Sequence, residues 1–123
     1  MITSIQVTGI AYEVDDGTHK YVMERIGHLD RYLPKHARKT VSAEVKLAQV
    51  NHDHGDKYEV EIILDVPNRL ITATASTDDI LAAIDMADSK IQAQLRDYKQ
   101  ATIAHIGKRG IMSRFKRSFK REL

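Results

Sequence analysis

The chain has 123 residues, a formal net charge of +2 and no cysteine. This length fits one domain with a core of its own, and the lack of cysteine excludes disulfides, thiol catalysis and thiolate metal sites. The chain does not begin with a basic stretch followed by an apolar run, the pattern of a signal peptide. It also contains no run of about eighteen apolar residues, the length that a transmembrane helix needs. We therefore expect a soluble, cytoplasmic protein.

The chain up to Pro34 is predicted to form one strand and one helix. In the segment Ser4–Gly9, Ile5 and Val7 alternate with polar residues, as in a strand with one buried face. A helix of about four turns follows the turn-forming residues 15–18 and stops before Pro34, because the residue before a proline avoids the α region. Its apolar stripe is formed by Val22, Ile26, Leu29 and Leu33.

Three strands are predicted next. Apolar and polar residues alternate from Val41 to Ala48 and from Tyr58 to Asp65, and a further strand runs from Leu70 to Ala75. The turn-forming segment Asn51–Lys57 separates the first two of these strands, and Val66–Arg69 makes a tight connection to the third. Strands joined by short loops pair with their neighbours, so these three should form an antiparallel meander.

The last predicted helix spans Thr77–Lys99, with Thr77 or Asp78 as its cap. Its apolar residues recur at three- and four-residue steps and form one stripe, which consists of Ile80, Ile84, Ala87, Ile91, Leu95 and Tyr98. The element order is β-α-β-β-β-α, which predicts an α+β, two-layer domain with both helices on one face of a four-stranded sheet. We place this domain at residues 1–100 and a basic amphipathic tail at residues 101–123.

Little in the sequence indicates an enzyme. Residues 51–56 hold two histidines and two aspartates, which are metal-ligand types, but His52 and His54 are two residues apart in a predicted hairpin loop and no third ligand has helical spacing. A solvated turn is the favoured interpretation of this loop. No nucleophile elbow, P-loop or dinucleotide fingerprint occurs. We expect no catalysis, metal, cofactor or small-molecule substrate.

Basic residues on the two helices are candidates for contacts with a phosphate backbone, with Tyr21 and Tyr32 available to stack on unstacked bases. These candidates are Lys20, Arg25, His28 and Arg31 on the first helix and Lys90, Arg96 and Lys99 on the second. The alternative is an ordinary solvated helix surface, because acidic residues lie among them: Glu24, Asp30, Asp88 and Asp97.

The charge is concentrated at the end of the chain. Up to Ile106, 12 Lys and Arg oppose 16 Asp and Glu, whereas residues 107–123 contain 7 basic residues and 1 acidic residue. The basic residues of this tail are Lys108, Arg109, Arg114, Lys116, Arg117, Lys120 and Arg121, and they surround an apolar series at Ile111, Phe115 and Phe119. Such a tail suits RNA, a membrane surface or a partner protein, and the alternative is a disordered solubilising tail.

Two groups of residues match a known family. The first lies in the first strand and helix and consists of Ile5–Gly9, Glu13-Val14, Tyr21-Val22, Arg25, Leu29-Asp30 and Tyr32. The second, more specific group lies in the second helix and consists of Asp78-Asp79-Ile80, Ala82–Asp85, Lys90-Ile91 and Gln94-Leu95. Through these residues, the chain resembles the bacterial ribosome hibernation-promoting factor and ribosome-associated inhibitor A family over residues 2–100.

This resemblance implies a fold similar to double-stranded-RNA-binding domains and a partner in the small ribosomal subunit, its rRNA and the whole ribosome. The protein would occupy the decoding region, block messenger and transfer RNA, and keep ribosomes inactive and protected in stress and stationary phase. No membrane partner is implied. If the sequence is complete, it resembles a short form of the family.

Three positions depart from the family pattern. Ala93 and Asp97 stand where basic residues are common, and His28 stands where lysine is frequent and makes that contact dependent on pH. We hypothesise that the basic tail compensates for the lost cations.

Two other functions are compatible with the sequence besides a ribosome-binding factor. One is a regulator that binds structured RNA away from the ribosome, and the other is an adaptor that acts through the amphipathic tail.

Overall fold

The computed structural model describes the backbone of residues 1–52 and 55–119 and the side chains of residues 1–50 and 57–101. Its strands are β1 (Ile5–Ile10), β2 (Ser42–His52), β3 (Gly55–Val66) and β4 (Arg69–Thr77). Its α-helices are α1 (Asp16–Gly27), α2 (Lys35–Arg38) and α3 (Ile80–Phe119), and a 3-10 helix spans His28–Tyr32. None of these helices is both long and apolar enough to cross a membrane within the described part of the chain.

The four strands form one mixed sheet in the order β1-β2-β3-β4. β1 pairs with β2 in parallel, with Val7 beside Val45, and the connection between them carries α1. β2, β3 and β4 pair antiparallel, which confirms the predicted meander and the α+β fold class. The two-residue turn from β3 to β4 places Asn68 at a φ of 67°, the positive value that the second central position of a type II turn needs after a proline.

One face of the sheet forms the core with the helices. Alternate residues of the strands are buried, among them Val45, Leu47, Ile62, Leu64 and Ile71. The predicted apolar stripes of the two helices cover these strand residues. Each of the following stripe residues is at most 1% exposed: Val22, Ile26, Leu29 and Leu33 of the first stripe, and Ile84, Ile91 and Leu95 of α3. The period-2 and period-3.6 patterns of the sequence therefore meet in a single apolar layer.

The first predicted helix is divided in the structure. The α-helical part ends at Gly27 and the chain continues as the 3-10 helix to Tyr32, where the backbone N–H of Leu33 bonds to the Asp30 carbonyl at 2.9 Å. Ile26 and Leu29 are three residues apart, a spacing that a helix with three residues per turn keeps on one side. The short helix α2, with Ala37 buried, was not predicted.

The bounds of two other segments differ from the prediction. Helix α3 begins at Ile80 rather than Thr77 and continues to Phe119 rather than Lys99, so it passes through Gly107 and Gly110 without ending. The strands around the predicted turn Asn51–Lys57 also extend further, because β2 and β3 stay paired as far as His52 and Gly55. The side chains of residues 51–56, which include the His52 and His54 loop, lie outside the described residues.

Candidate nucleic-acid interface

The beginning of α1 is set by a capping hydrogen bond. Asp15 precedes the helix in extended conformation, and its Oδ1 accepts from the backbone N–H of Thr18 at 2.6 Å. This bond satisfies one free donor of the first turn and lowers the pKa of the Asp15 carboxyl. The cap thereby fixes where α1 begins.

A polar bridge joins α1 to α3. Tyr21 donates its hydroxyl to Asp85 Oδ1 at 2.5 Å, and Arg25, one turn later, donates to the Tyr21 oxygen at 2.8 Å. The Arg25 guanidinium also lies 3.4 Å from the Asp85 carboxylate and 5.0 Å from the centre of the Tyr21 ring. The bond to Asp85 raises the pKa of Tyr21. Arg25, predicted as a phosphate contact, therefore already has a carboxylate partner.

A second bridge joins the 3-10 helix to α3. Tyr32 donates its hydroxyl to Gln92 Oε1 at 3.2 Å, and Gln92 donates its amide to Asp88 Oδ2 at 3.0 Å. Arg31 covers the Tyr32 ring at 5.0 Å from its centre. Each bridge thus combines a tyrosine that bonds to α3 with an arginine stacked on that tyrosine.

An open cleft of about 320 Å³, the α1–α3 cleft, lies between these bridges. Helix α1 contributes Tyr21, Glu24 and Arg25 to its walls, and the 3-10 helix contributes His28, Leu29 and Arg31. Helix α3 contributes Asp88 and Gln92. The cleft therefore brings together three of the predicted contact residues, Arg25, His28 and Arg31, beside two acidic residues.

Asp88 is the residue of this cleft that sequence reasoning missed. It is only 3% exposed, and its Oδ1 has no hydrogen-bond partner among the described residues. Burial raises the pKa of its carboxyl, against the hydrogen bond from Gln92 and the charge of Arg25. A signal for this position existed, because Asp88 follows Ile84 by four residues and precedes Ile91 by three, which places it on the apolar stripe.

The other predicted contacts on the helices are distributed around the cleft. Lys20 on α1 is exposed, and Arg96 on α3 is exposed one turn beyond Gln92, on the same flank. Lys99 is half-buried one further turn along α3. The cations predicted in the tail lie beyond the residues whose side chains are described.

Lys90 has a different environment from the other predicted contacts. Its Nζ donates to the backbone carbonyl of Thr74 at 2.7 Å, and Gln94, one turn later, donates to the carbonyl of Thr72 at 2.6 Å. Both carbonyls belong to β4, which is an edge strand of the sheet. Lys90 and Gln94 therefore cover an edge that would otherwise offer its backbone for pairing.

The face of the sheet opposite the helices carries alternating charges. Lys46 lies 3.6 Å from Glu44 and 3.8 Å from Glu61, and all three are partly exposed. Lys57 on β3 shares this outward face, because it is in register with the outward residues of its strand and Val60 and Ile62 point to the core. This face lies opposite the helices and provides positions for control substitutions.

A family model described as Sigma 54 modulation protein / S30EA ribosomal protein matches residues 5–102. A curated relative from Deinococcus radiodurans, named Ribosome hibernation promotion factor, is 33% identical over 94 residues, which cover 76% of this chain and 48% of the relative. A protein of the same name from Staphylococcus aureus is 27% identical over 94 residues, which cover 76% of this chain and 47% of that protein. The chain thus spans about half the length of these curated relatives.

Solved structures share the fold. The N-terminal domain of Protein Y from Thermus thermophilus superposes with a TM-score of 0.59 and 25% identity, over 76% of this chain and 94% of that domain. A ribosomal subunit interface protein from Coxiella burnetii gives a TM-score of 0.63 with 24% identity, over 77% of this chain and 96% of that chain.

Proposed function

Because the chain belongs to the Sigma 54 modulation protein / S30EA ribosomal protein family, we propose that it binds the ribosome and holds it in an inactive, protected state. More finely, we propose that it occupies the decoding region of the small subunit and excludes messenger and transfer RNA by its bulk. It acts as a binding factor in the cytoplasm in stress and stationary phase and catalyses no reaction.

The observation that carries this proposal is the extent of the family match. Residues 5–102 include all four strands, α1, the 3-10 helix and the part of α3 that packs on the sheet. Two curated relatives over this region carry the name Ribosome hibernation promotion factor. Since the chain spans about half of each relative, the activity of those whole proteins remains a proposal for this chain.

The surface around the α1–α3 cleft supports contacts with rRNA. Lys20, Arg31 and Arg96 are exposed there, and cations of this kind neutralise phosphates and release bound counterions. Arg31, which lines the cleft, lies over the Tyr32 ring, and a guanidinium plane is a group on which an unstacked base can stack. We propose that these residues, with His28, Lys99 and the cations of residues 108–121, form the interface.

Sedimentation of the purified protein with ribosomes and with isolated subunits tests the proposal. We expect the protein to migrate with the small subunit and with whole ribosomes at low salt, and to dissociate as salt rises. Excess transfer RNA should displace it if the decoding region is the site. Migration with the large subunit alone, or binding unaffected by transfer RNA, would contradict decoding-region occupancy.

A pair of charge reversals locates the interface. Arg31→Glu should weaken ribosome binding by about tenfold or more, because it removes one phosphate contact and adds repulsion on the α1–α3 side. Lys57→Glu changes the net charge equally on the opposite face of the sheet and should leave binding within about twofold. Equal losses from the two variants would mean that only net charge matters.

Sedimentation with ribosomes, together with two further binding measurements, separates this proposal from the alternative functions. Protein that stays unbound to ribosomes but retards structured RNA in a gel would be an RNA-binding regulator that acts elsewhere. Binding to anionic vesicles without RNA would favour an adaptor that uses the amphipathic tail.

A further inference from the structure

A short cationic segment connects the 3-10 helix to β2. Residues 31–40 contain four Lys and Arg, one His and no Asp or Glu, although acidic residues outnumber basic ones by 16 to 12 in the chain up to Ile106. The four cations are all exposed, and they are Arg31, Lys35, Arg38 and Lys39. Arg31 lines the α1–α3 cleft, whereas the other three do not.

Apolar residues at four-residue steps hold this segment against the core. Leu33, Ala37 and Val41 are each at most 5% exposed. The backbone N–H of Ala37 bonds to the Pro34 carbonyl at 3.0 Å, and that of Val41 bonds to the Ala37 carbonyl at 3.1 Å. Arg38 donates its Nε–H to the Leu33 carbonyl at 3.1 Å. This bond uses one of the five N–H groups of the guanidinium, so four remain for another partner.

A further cation lies at the same end of the sheet. Ser42, where β2 begins, is in register with Asp65, and the turn from β3 to β4 follows directly. Arg69 comes after this turn and lies 5.4 Å from the centre of the Tyr98 ring. Tyr98 donates its hydroxyl to the Pro67 carbonyl at 3.0 Å, which fixes this part of α3 beside the turn. We call these exposed cations the α2 surface: Lys35, Arg38, Lys39 and Arg69.

The cations of the α2 surface are not neutralised within the domain. Arg25 lies beside Asp85 and Lys46 lies beside two glutamates, whereas none of the ion pairs among the described side chains includes a residue of the α2 surface. Tyr98, the aromatic residue beside Arg69, is 5% exposed, so its ring is closed to an RNA base. The surface therefore suits a sugar–phosphate backbone rather than an unstacked base.

We propose that the α2 surface binds the phosphate backbone of an RNA duplex, as a second interface separate from the α1–α3 cleft. The inference rests on the proposed RNA-binding function and adds a second RNA segment to it, so that one domain bridges two parts of the rRNA. Proteins recognise double-stranded RNA mainly through its shape, its phosphates and its 2′-hydroxyls, which requires cations but no open aromatic ring.

The path of α3 brings the basic tail to this interface. Tyr98 is bonded to the turn at the α2 end of the sheet, and the helical backbone continues from there to Phe119. The extension that carries the tail therefore leaves the domain beside the α2 surface. We expect the two groups of cations to contact the same duplex.

Fluorescence anisotropy of the full chain with a labelled RNA duplex of about 16 base pairs, a length that a small RNA-binding domain spans, tests this surface. The double substitution Lys35→Gln with Lys39→Gln removes two cations and leaves the bond from Arg38 to Leu33 in place. Each phosphate contact contributes about 0.9 to the salt slope on duplex DNA, so we expect the slope to fall by about 2 and the affinity at low salt to fall by about tenfold or more.

The matched control is Lys46→Gln with Lys57→Gln, which makes the same charge change on the outward face of the sheet. It should keep the slope and the affinity within about twofold of the unmodified chain. Equal losses in the two double variants would overturn the proposal, because net charge alone would then account for them. An unchanged slope after substitution of Lys35 and Lys39, or no binding of the duplex by the unmodified chain, would also overturn it.

Sedimentation with small subunits separates this surface from the proposed ribosomal function. Binding to the subunit with the same salt slope in the Lys35 and Lys39 variant would leave the ribosomal function intact and overturn the α2 surface. Duplex binding that depends on Lys35 and Lys39, without co-sedimentation with ribosomes, would support the surface and contradict the ribosomal function.

Discussion

Arg25 and Asp88 show that the role of a single residue depends on its partners. Arg25 was selected for its charge, yet it is held by the Tyr21 hydroxyl and lies 3.4 Å from the Asp85 carboxylate. In the sequence, Asp88 is one of the acidic residues that weaken the case for RNA binding, whereas in the structure it is buried in the wall of the α1–α3 cleft and bonds to Gln92.

The substitution Asp85→Asn should strengthen ribosome binding at low salt. The ion pair between Arg25 and Asp85 is half-exposed, and pairs of this kind contribute roughly 0.5–1 kcal/mol, so the release of Arg25 to a phosphate should raise affinity by about twofold to fivefold. Asp97→Asn makes the same change of net charge on an exposed part of α3 and serves as the control. Ribosome affinity is measured by sedimentation. An equal gain of affinity in both variants would show that the gain comes from net charge and not from release of Arg25 from Asp85.

The substitution Asp15→Ala should lower the melting temperature at neutral pH. The capping bond lowers the folded-state pKa of Asp15 below its usual value, so the bond stabilises the fold above that value and is lost as pH falls through the folded-state pKa. The difference from the unmodified protein should therefore disappear in strong acid. Asp16→Ala removes a charge from the same turn while it keeps the Asp15 cap, and should show a smaller effect in calorimetry.

Helix α3 makes different contacts along its length and on its two flanks. One flank joins α1 and the 3-10 helix through Asp85 and Gln92, and the other covers the β4 edge through Lys90 and Gln94. The resemblance described above places two further family cations at the positions of Ala93 and Asp97, on the side of the helix that carries Lys90. In this chain, the side that faces β4 therefore has an edge-covering role, and the exposed cations cluster on the other.

The double substitution Lys90→Ala with Gln94→Ala should expose the β4 edge. Two hydrogen bonds to backbone carbonyls are lost at about 0.5–1 kcal/mol each, and the carbonyls of Thr72 and Thr74 become available to another chain. We expect faster amide exchange in β4 and self-association at high concentration, measured by mass spectrometry and light scattering. The double variant Lys20→Ala with Gln100→Ala alters two exposed helical residues, and similar self-association in it would rule out the edge as the cause.

The whole molecule joins an acidic body to a basic extension. The buried residues of α3 end at Tyr98 among the described side chains, whereas the helical backbone continues to Phe119. The segment after Gly107 therefore extends from the part of α3 that forms the core and carries 7 of the 19 basic residues of the chain. We expect its cations to add phosphate contacts to those of the domain.

Deletion of residues 107–123 should flatten the salt dependence of ribosome binding while the domain stays folded. Each phosphate contact contributes about 0.9 to the slope of log affinity against log salt on duplex DNA, a value used here as a guide for RNA, so a loss of several units is expected. A variant that keeps the tail but replaces its Lys and Arg with Gln should behave like the deletion. An unchanged slope in both would contradict the compensating role of the tail.

Residue patterns were sufficient to predict the element order, the meander, the one-sided helix layer and most of the core. They missed the 3-10 segment, because Ile26, Leu29 and Leu33 fit an α-helix almost as well as a tighter one. They also limited the last helix to its apolar stripe, although a helix can continue beyond the residues that pack. In the candidate site, the cations of α1 stay predicted contacts, whereas the burial of Asp88 and the bond from Lys90 to β4 were not predicted.

The sequence by itself determined the four strands, the two main helices and the face that each of them buries, because these depend on the periodic spacing of apolar residues along one segment. It also determined the uneven distribution of charge between body and tail. Only the tertiary structure decided which charges share a cleft, which carboxylate oxygen lacks a partner and which lysine bonds to a strand edge. Those relations join residues such as Tyr21 and Asp85, which lie far apart along the chain, and they follow from how two helices pack across one sheet.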